Sequence, residues 1–156
     1  MGAGVRRIGD ERHRLAGFII EVHKDLEVLR LYSYEDDEER YVLEKEWPVA
    51  TGMEGHPTPV GRFEVRRRQR CPKWVVPSNI NWMPREQWGN IYDCESDLNP
   101  IKGRWIGFYK DIGIHGTDNV ESLGHPASHG CVRMAVPAVK ELFPLARKGT
   151  PVIIKS

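Results

Sequence analysis

The chain has 156 residues, with 23 Lys and Arg against 22 Asp and Glu and a formal net charge of +1. That length suits one domain with a hydrophobic core of its own, and the near-neutral balance gives no global reason to expect nucleic acid or an anionic membrane as a partner. Eleven prolines, fifteen glycines and a hydrophobic fraction of 40% describe a turn-rich globular protein without low-complexity tracts, and no apolar run approaches the length of a membrane-spanning helix.

Residues 1–16 are polar, charged and aperiodic, and read as a leader or mobile N-terminal segment. The stretch Met1 to Arg7 lacks the apolar run of a secretory signal. One domain is expected over residues 17–156. Phe18–His23, Glu27–Tyr32 and Arg40–Ala50 are rich in β-branched and aromatic residues with partial period-two alternation, which predicts three successive strands. Asp36-Asp37-Glu38-Glu39 predicts a solvated turn between the second and third. Pro57-Thr58-Pro59-Val60-Gly61 predicts a rigid loop leading into a strand over Arg62–Arg66.

Arg66, Arg67, Arg68, Arg70 and Lys73 form the densest basic patch, beside Trp74. In a neutral chain this reads first as an exposed strand end, with an anionic polymer as the alternative. Trp74 to Lys102 carries Trp82, Trp88 and Tyr92 without helical period, and predicts an irregular insertion: either a local aromatic mini-core or a flap beside a substrate. Strand character returns at Arg104–Tyr109 and Gly113–His115. Pro137 suits a first helical position, and Val139, Leu142, Phe143 and Ala146 share a face until Pro144 and Gly149 end the helix. Pro151–Lys155 predicts a closing buried strand. The resulting fold class is mainly β, a sandwich or barrel-like domain with one short helix in its C-terminal half.

Three cysteines leave at least one unpaired within the chain. Cys71 and Cys94 either bridge or remain free thiols, and the spacing does not decide between these. Cys131 lies in Ser128-His129-Gly130-Cys131-Val132-Arg133, with Ile114-His115-Gly116-Thr117 upstream. A thiol among imidazoles and a guanidinium is a candidate nucleophile for acyl chemistry. His129 is close in sequence but need not face Cys131, whereas a loop returns His115 from a predicted strand end, so His115 is favoured as the base. A backbone carbonyl near Gly116 can fix its tautomer. His129 then shapes the loop or touches substrate. Gly130 permits a turn and close approach, and the N–H groups of Gly130 and Cys131 are candidates for an oxyanion site. Arg133 suits a substrate carboxylate or the loop carbonyls. His115, His125, His129 and Cys131 match no common zinc spacing, so neither a metal nor another cofactor is expected.

The motif pair closely resembles the signature of the L,D-transpeptidase catalytic domain, the YkuD family of bacterial cell-wall enzymes. Ile20-Glu21-Val22, Leu29-Arg30-Leu31-Tyr32, Thr51-Gly52, Pro57 to Phe63 and Gly149 to Ile153 extend the resemblance in the same order over residues 17–155. The resemblance implies a β-rich fold, a catalytic Cys131 and His115, the Gly116 carbonyl as orienting group, and a Ser128 to Cys131 oxyanion loop. It further implies peptidoglycan stem peptides as substrate: Cys131 attacks the carbonyl of stem residue three, D-alanine leaves, and an amine of a neighbouring stem takes the acyl group to give a 3→3 cross-link. Hydrolysis of the same thioester, an L,D-carboxypeptidase, and a non-catalytic wall-binding module are the alternatives. A monomer in the bacterial cell envelope, in periplasm or wall, is expected, with no nucleic acid partner and no membrane span.

Overall fold

The computed structural model describes residues 17–35 and 40–156; the leader and the acidic turn expected at residues 36–39 lie outside them. Alternation builds the first sheet. In β1 (Phe18–His23) Phe18, Ile20 and Val22 point inward, and in β2 (Val28–Glu35) Leu29 and Leu31 do the same. β2 pairs antiparallel with β1 and with β3 (Arg40–Pro48). β4 (Gly61–Glu64) lies antiparallel to β11 (Pro151–Lys155), which runs parallel to β1. The five-stranded order is therefore β3-β2-β1-β11-β4.

The chain leaves this sheet at Val65 and Arg66. The Val65 N–H donates to the Thr150 carbonyl at 2.9 Å, and the Arg66 N–H to Gly107 in the other sheet at 2.8 Å. The predicted strand Arg62–Arg66 is thus cut at Glu64, and a further strand, β5 (Arg67–Gln69), begins in a second sheet. There β5 pairs with β8 (Lys102–Tyr109), β8 with β9 (Ile112–Thr117), and β9, in parallel, with β10 (Val132–Ala135). The inner faces of the two sheets meet through Ile20, Val22, Leu29 and Leu31 on one side and Ile106, Phe108, Ile114, Val132 and Met134 on the other. Each fully buried side chain of this kind contributes about 1.5–3 kcal/mol. Helix α1 (Val136–Leu142) closes the sandwich with Val139 and Leu142, and starts without a side-chain cap at Ala135.

Three expectations change. Glu27 is not a strand residue but a buried turn residue with φ of 51°. The segment after Cys71 is not wholly irregular: β6 (Trp74–Val75) and β7 (Ile91–Tyr92) form a hairpin, and Cys71 is disulfide-bonded to Cys94, which settles the open pairing. β10 had no counterpart among the predicted strands, because its four residues adjoin a motif that reads as a loop.

Candidate active site

Because Ile114 and Val132 point into the core, strand alternation sends their neighbours to the outer face of the second sheet. Register then aligns two rows across the strands. One is Arg133, His115, Trp105 and Gln69; the other is Gly113, Gly107 and Arg67, with Cys131, one residue before β10, at its end beside Gly113. The parallel β9–β10 pair thus brings together the two halves of the sequence motif. His115 is only 6% exposed. Its Nδ1 lies 2.8 Å from the Gly116 carbonyl, the geometry of an Nδ1–H donor, so Nε2 is left with its lone pair. Burial pushes its pKa down to about 4, and the Arg133 charge works in the same direction, against the Gly116 hydrogen bond.

The Cys131 thiol is pushed up to about 11 by burial, while a Gly113 backbone hydrogen bond and the Arg133 charge work against that rise. Its S–H donates to the Asp111 carbonyl at 3.8 Å. At neutral pH the resting pair is therefore a thiol and a neutral imidazole. The guanidinium of half-buried Arg133 supplies the fixed positive charge, and burial lowers its own pKa.

The loop carrying the cysteine is held by side chains far away in sequence. The buried Thr58 hydroxyl accepts from the Gly52 N–H at 2.9 Å and donates to the Gly130 carbonyl at 2.7 Å. Ser128 Oγ donates to the Cys131 carbonyl and accepts from the Gly130 N–H at 3.1 Å. The Gly130 amide expected to face an oxyanion is therefore engaged within the loop, where Gly130 has φ of 127°. Ala50 exchanges two backbone hydrogen bonds with Arg133, at 3.0 and 2.9 Å, and Thr51 is fixed by Glu27, whose two carboxylate oxygens accept from its N–H at 2.8 Å and its hydroxyl at 2.6 Å. Glu27 and Thr58 were not singled out in the sequence; no local pattern reports hydrogen bonds across separations of 24 and 72 residues.

His129 packs against other aromatic rings. Its ring stacks on Trp82 at 4.0 Å and meets His56 edge-on at 4.9 Å. Burial, His56 and Arg133 all lower its pKa. Through Trp82, which stacks on Trp74 at 6.5 Å, which in turn meets Tyr92 at 6.1 Å, the disulfide-closed segment reaches the loop of residues 128–131. The aromatics of that segment stack in one row, as the mini-core reading expects. Trp105, noticed in the sequence only as a strand residue, stacks on His115 at 5.9 Å. Of the basic patch, Arg68 and Arg70 lie over Phe143 and Arg67 projects onto the outer face. Among the described residues no group of three His, Cys, Asp or Glu side chains gathers at metal-binding geometry, and His125 lies exposed.

The L,D-transpeptidase catalytic domain model (YkuD) matches residues 17–154. The chain belongs to that family. A Bacillus subtilis relative named as an L,D-transpeptidase, YqjB, is 36% identical over 118 residues, covering 72% of this chain and 60% of the relative. A second from the same organism, YkuD, is 32% identical over 111 residues, covering 70% of this chain and 52% of the relative. This chain thus spans little more than half the length of these relatives. Among solved structures, an L,D-transpeptidase from Mycobacterium smegmatis superposes with a TM-score of 0.70 at 16% identity, over 90% of this chain and 59% of that one. An L,D-transpeptidase solved in complex with imipenem has a TM-score of 0.64 at 15% identity, over 88% of this chain and 58% of that one. These likenesses establish a shared fold, which among the described residues is mainly strands with one α-helix. Among the described residues no helix is long and apolar enough to cross a membrane.

Proposed function

We propose that this domain is a cysteine acyltransferase acting on peptidoglycan stem peptides, with Cys131 as nucleophile and His115 as base. The observation that carries the reading is the hydrogen bond from His115 Nδ1 to the Gly116 carbonyl at 2.8 Å, which commits the buried ring to one tautomer with Nε2 available to a proton on the same sheet face as Cys131. As Sγ attacks the carbonyl of stem residue three, the thiol proton passes to Nε2. Burial disfavours the imidazolium so formed, which drives the proton on to the amine of the departing D-alanine. The acyl group remains as a thioester on Cys131. An acceptor amine then attacks, gives up its proton through His115, and leaves an amide with the thiol restored.

The charge developing on the tetrahedral oxygen is met by the Cys131 N–H in this reading, since the Gly130 N–H is spent on Ser128. Ser128, His129 and Gly130 serve as loop and wall, and Arg133 as a fixed charge facing sulfur and substrate. The Cys71–Cys94 disulfide suits an oxidising compartment, in line with a place in the cell envelope.

Intact-mass measurement after incubation with a stem tetrapeptide, or with imipenem, tests the reading. The expected product is one covalent adduct on the wild-type chain and none on Cys131→Ala. An unmodified wild-type protein under both conditions overturns it. Product analysis then separates cross-linked dimers, from an amine acceptor, from trimmed tripeptide monomers, from water.

A further inference from the structure

The row from Cys131 to Arg67 crosses two glycines, and the space above them is filled by one ring. A Cβ on Gly113 would lie 2.8 and 2.9 Å from Cζ2 and Cη2 of Trp105, and one on Gly107 would lie 2.8 Å from its Nε1. The edge of the indole that runs from Nε1 to Cη2 therefore lies across β8 and β9, its benzo end at Gly113, the glycine beside Cys131, and its N–H at Gly107, on the side of β5. At that end stands Arg67, register partner of Gly107, whose Cβ is 3.5 Å from where a Gly107 Cβ would be, and so on the same face. Neither the Trp105 N–H nor the Arg67 guanidinium has a hydrogen-bond or ion-pair partner among the described residues, and the Trp105 N–H is not sealed from solvent. Arg67 itself is exposed.

Building on the acyl-transfer reading, we infer that Trp105 Nε1–H and the Arg67 guanidinium form a receptor for a carboxylate on the acyl donor. Two strand spacings of about 4.8 Å place Gly107, under that indole N–H, about 10 Å from Cys131. In a γ-linked glutamate preceding the attacked residue, seven bonds separate the attacked carbonyl carbon from the free α-carboxylate, about 9 Å when extended. The carboxylate thus arrives between the indole N–H and a guanidinium fork whose geometry matches it, while the intervening chain runs along Trp105. Donors lacking the charge lose the paired hydrogen bonds and leave the guanidinium with water alone. The receptor sets which stem peptides are acyl donors, and assigns to Arg67 a role distinct from the rest of the basic patch.

The test uses two synthetic stem tetrapeptides, one with a free α-carboxylate on its γ-linked second residue and one with the carboxamide there. The readout is kcat/KM for formation of the Cys131 acyl-enzyme. The wild type is expected to prefer the free acid by about tenfold, the scale of a lost charge-assisted hydrogen bond. Arg67→Gln brings the ratio of the two peptides to about one, and Trp105→Phe, which keeps the ring and loses the N–H, reduces it. Arg66→Gln, at an exposed neighbour outside β5, keeps the wild-type ratio. Equal wild-type rates on the two peptides, or a fall in the ratio with Arg66→Gln as large as with Arg67→Gln, overturns the receptor while leaving acyl transfer intact. No acyl-enzyme with either peptide overturns the acyl-transfer reading itself, and the receptor with it.

Discussion

His115 makes the stability of this domain depend on pH in a direction that can be worked out. Its folded pKa of about 4 lies below the ordinary 6.5 because burial in the site disfavours the charged ring. The unfolded chain takes up a proton near pH 6.5 while the folded chain refuses it until about pH 4. Stability from this group is therefore complete above pH 6.5 and is lost as pH falls toward 4. At about 1.36 kcal/mol per unit, the whole window is worth about 3 kcal/mol, and the step from pH 7 to pH 5 about 2 kcal/mol. His115 is buried, so solvent screening takes little from this figure. Denaturant unfolding of wild type and His115→Gln at both pH values isolates the group, because all other titrations are shared. The expected result is a wild-type loss exceeding that of the variant by about 2 kcal/mol, or about 6 °C in Tm for a domain of this size. Equal losses in the two proteins would refute the assignment of a buried, neutral imidazole.

Other outcomes follow from the same geometry. With its thiol pushed up to about 11, resting Cys131 should react with iodoacetamide at a rate that climbs steadily above pH 8; a plateau between pH 5 and 8 would instead reveal a thiolate paired with an imidazolium. Thr58→Val orphans the buried Gly52 N–H and Gly130 carbonyl, and should cost about 3 kcal/mol and slow acylation of Cys131, with Thr58→Ser retaining most of both; a thermal melt within about 1 °C of wild type would contradict this. Replacing Cys71 and Cys94 by serine removes a cross-link over 23 residues, worth at most about 3.5 kcal/mol by chain entropy. Amide exchange should rise first in β6 and β7, and unchanged protection there would show that the aromatic row holds the segment unaided.

Much of the fold is legible because the strands of the first sheet alternate cleanly. Phe18, Ile20, Val22, Leu29 and Leu31 announce their buried face in any register. Where the reading stops short, the cause is nonlocal. Glu27 continues an apparent strand pattern, yet it turns because its carboxylate is needed at Thr51. Val65 and Arg66 look like one strand with Arg62, and only their bonds to Thr150 and Gly107 reveal the passage between sheets. His56 and Trp82 gain meaning only against His129.

By itself, the sequence pointed to the family and to Cys131 and His115 as candidate groups, because the glycines, histidine and cysteine of the motif are local requirements written into consecutive positions. It also determined the strand-rich class, since period-two alternation is a property of single segments. Only the tertiary structure decided which face those groups share, because parallel pairing of β9 with β10 sets His115 level with Arg133 and Cys131 beside Gly113. It also set the direction in which burial moves both groups, His115 down and Cys131 up, since desolvation is a property of everything packed around a group and not of its neighbours in the chain. Arg67 shows both sides: an undistinguished member of a basic run in sequence, it joins the row of Gly107, Gly113 and Cys131 because β5 pairs with β8 in that one register.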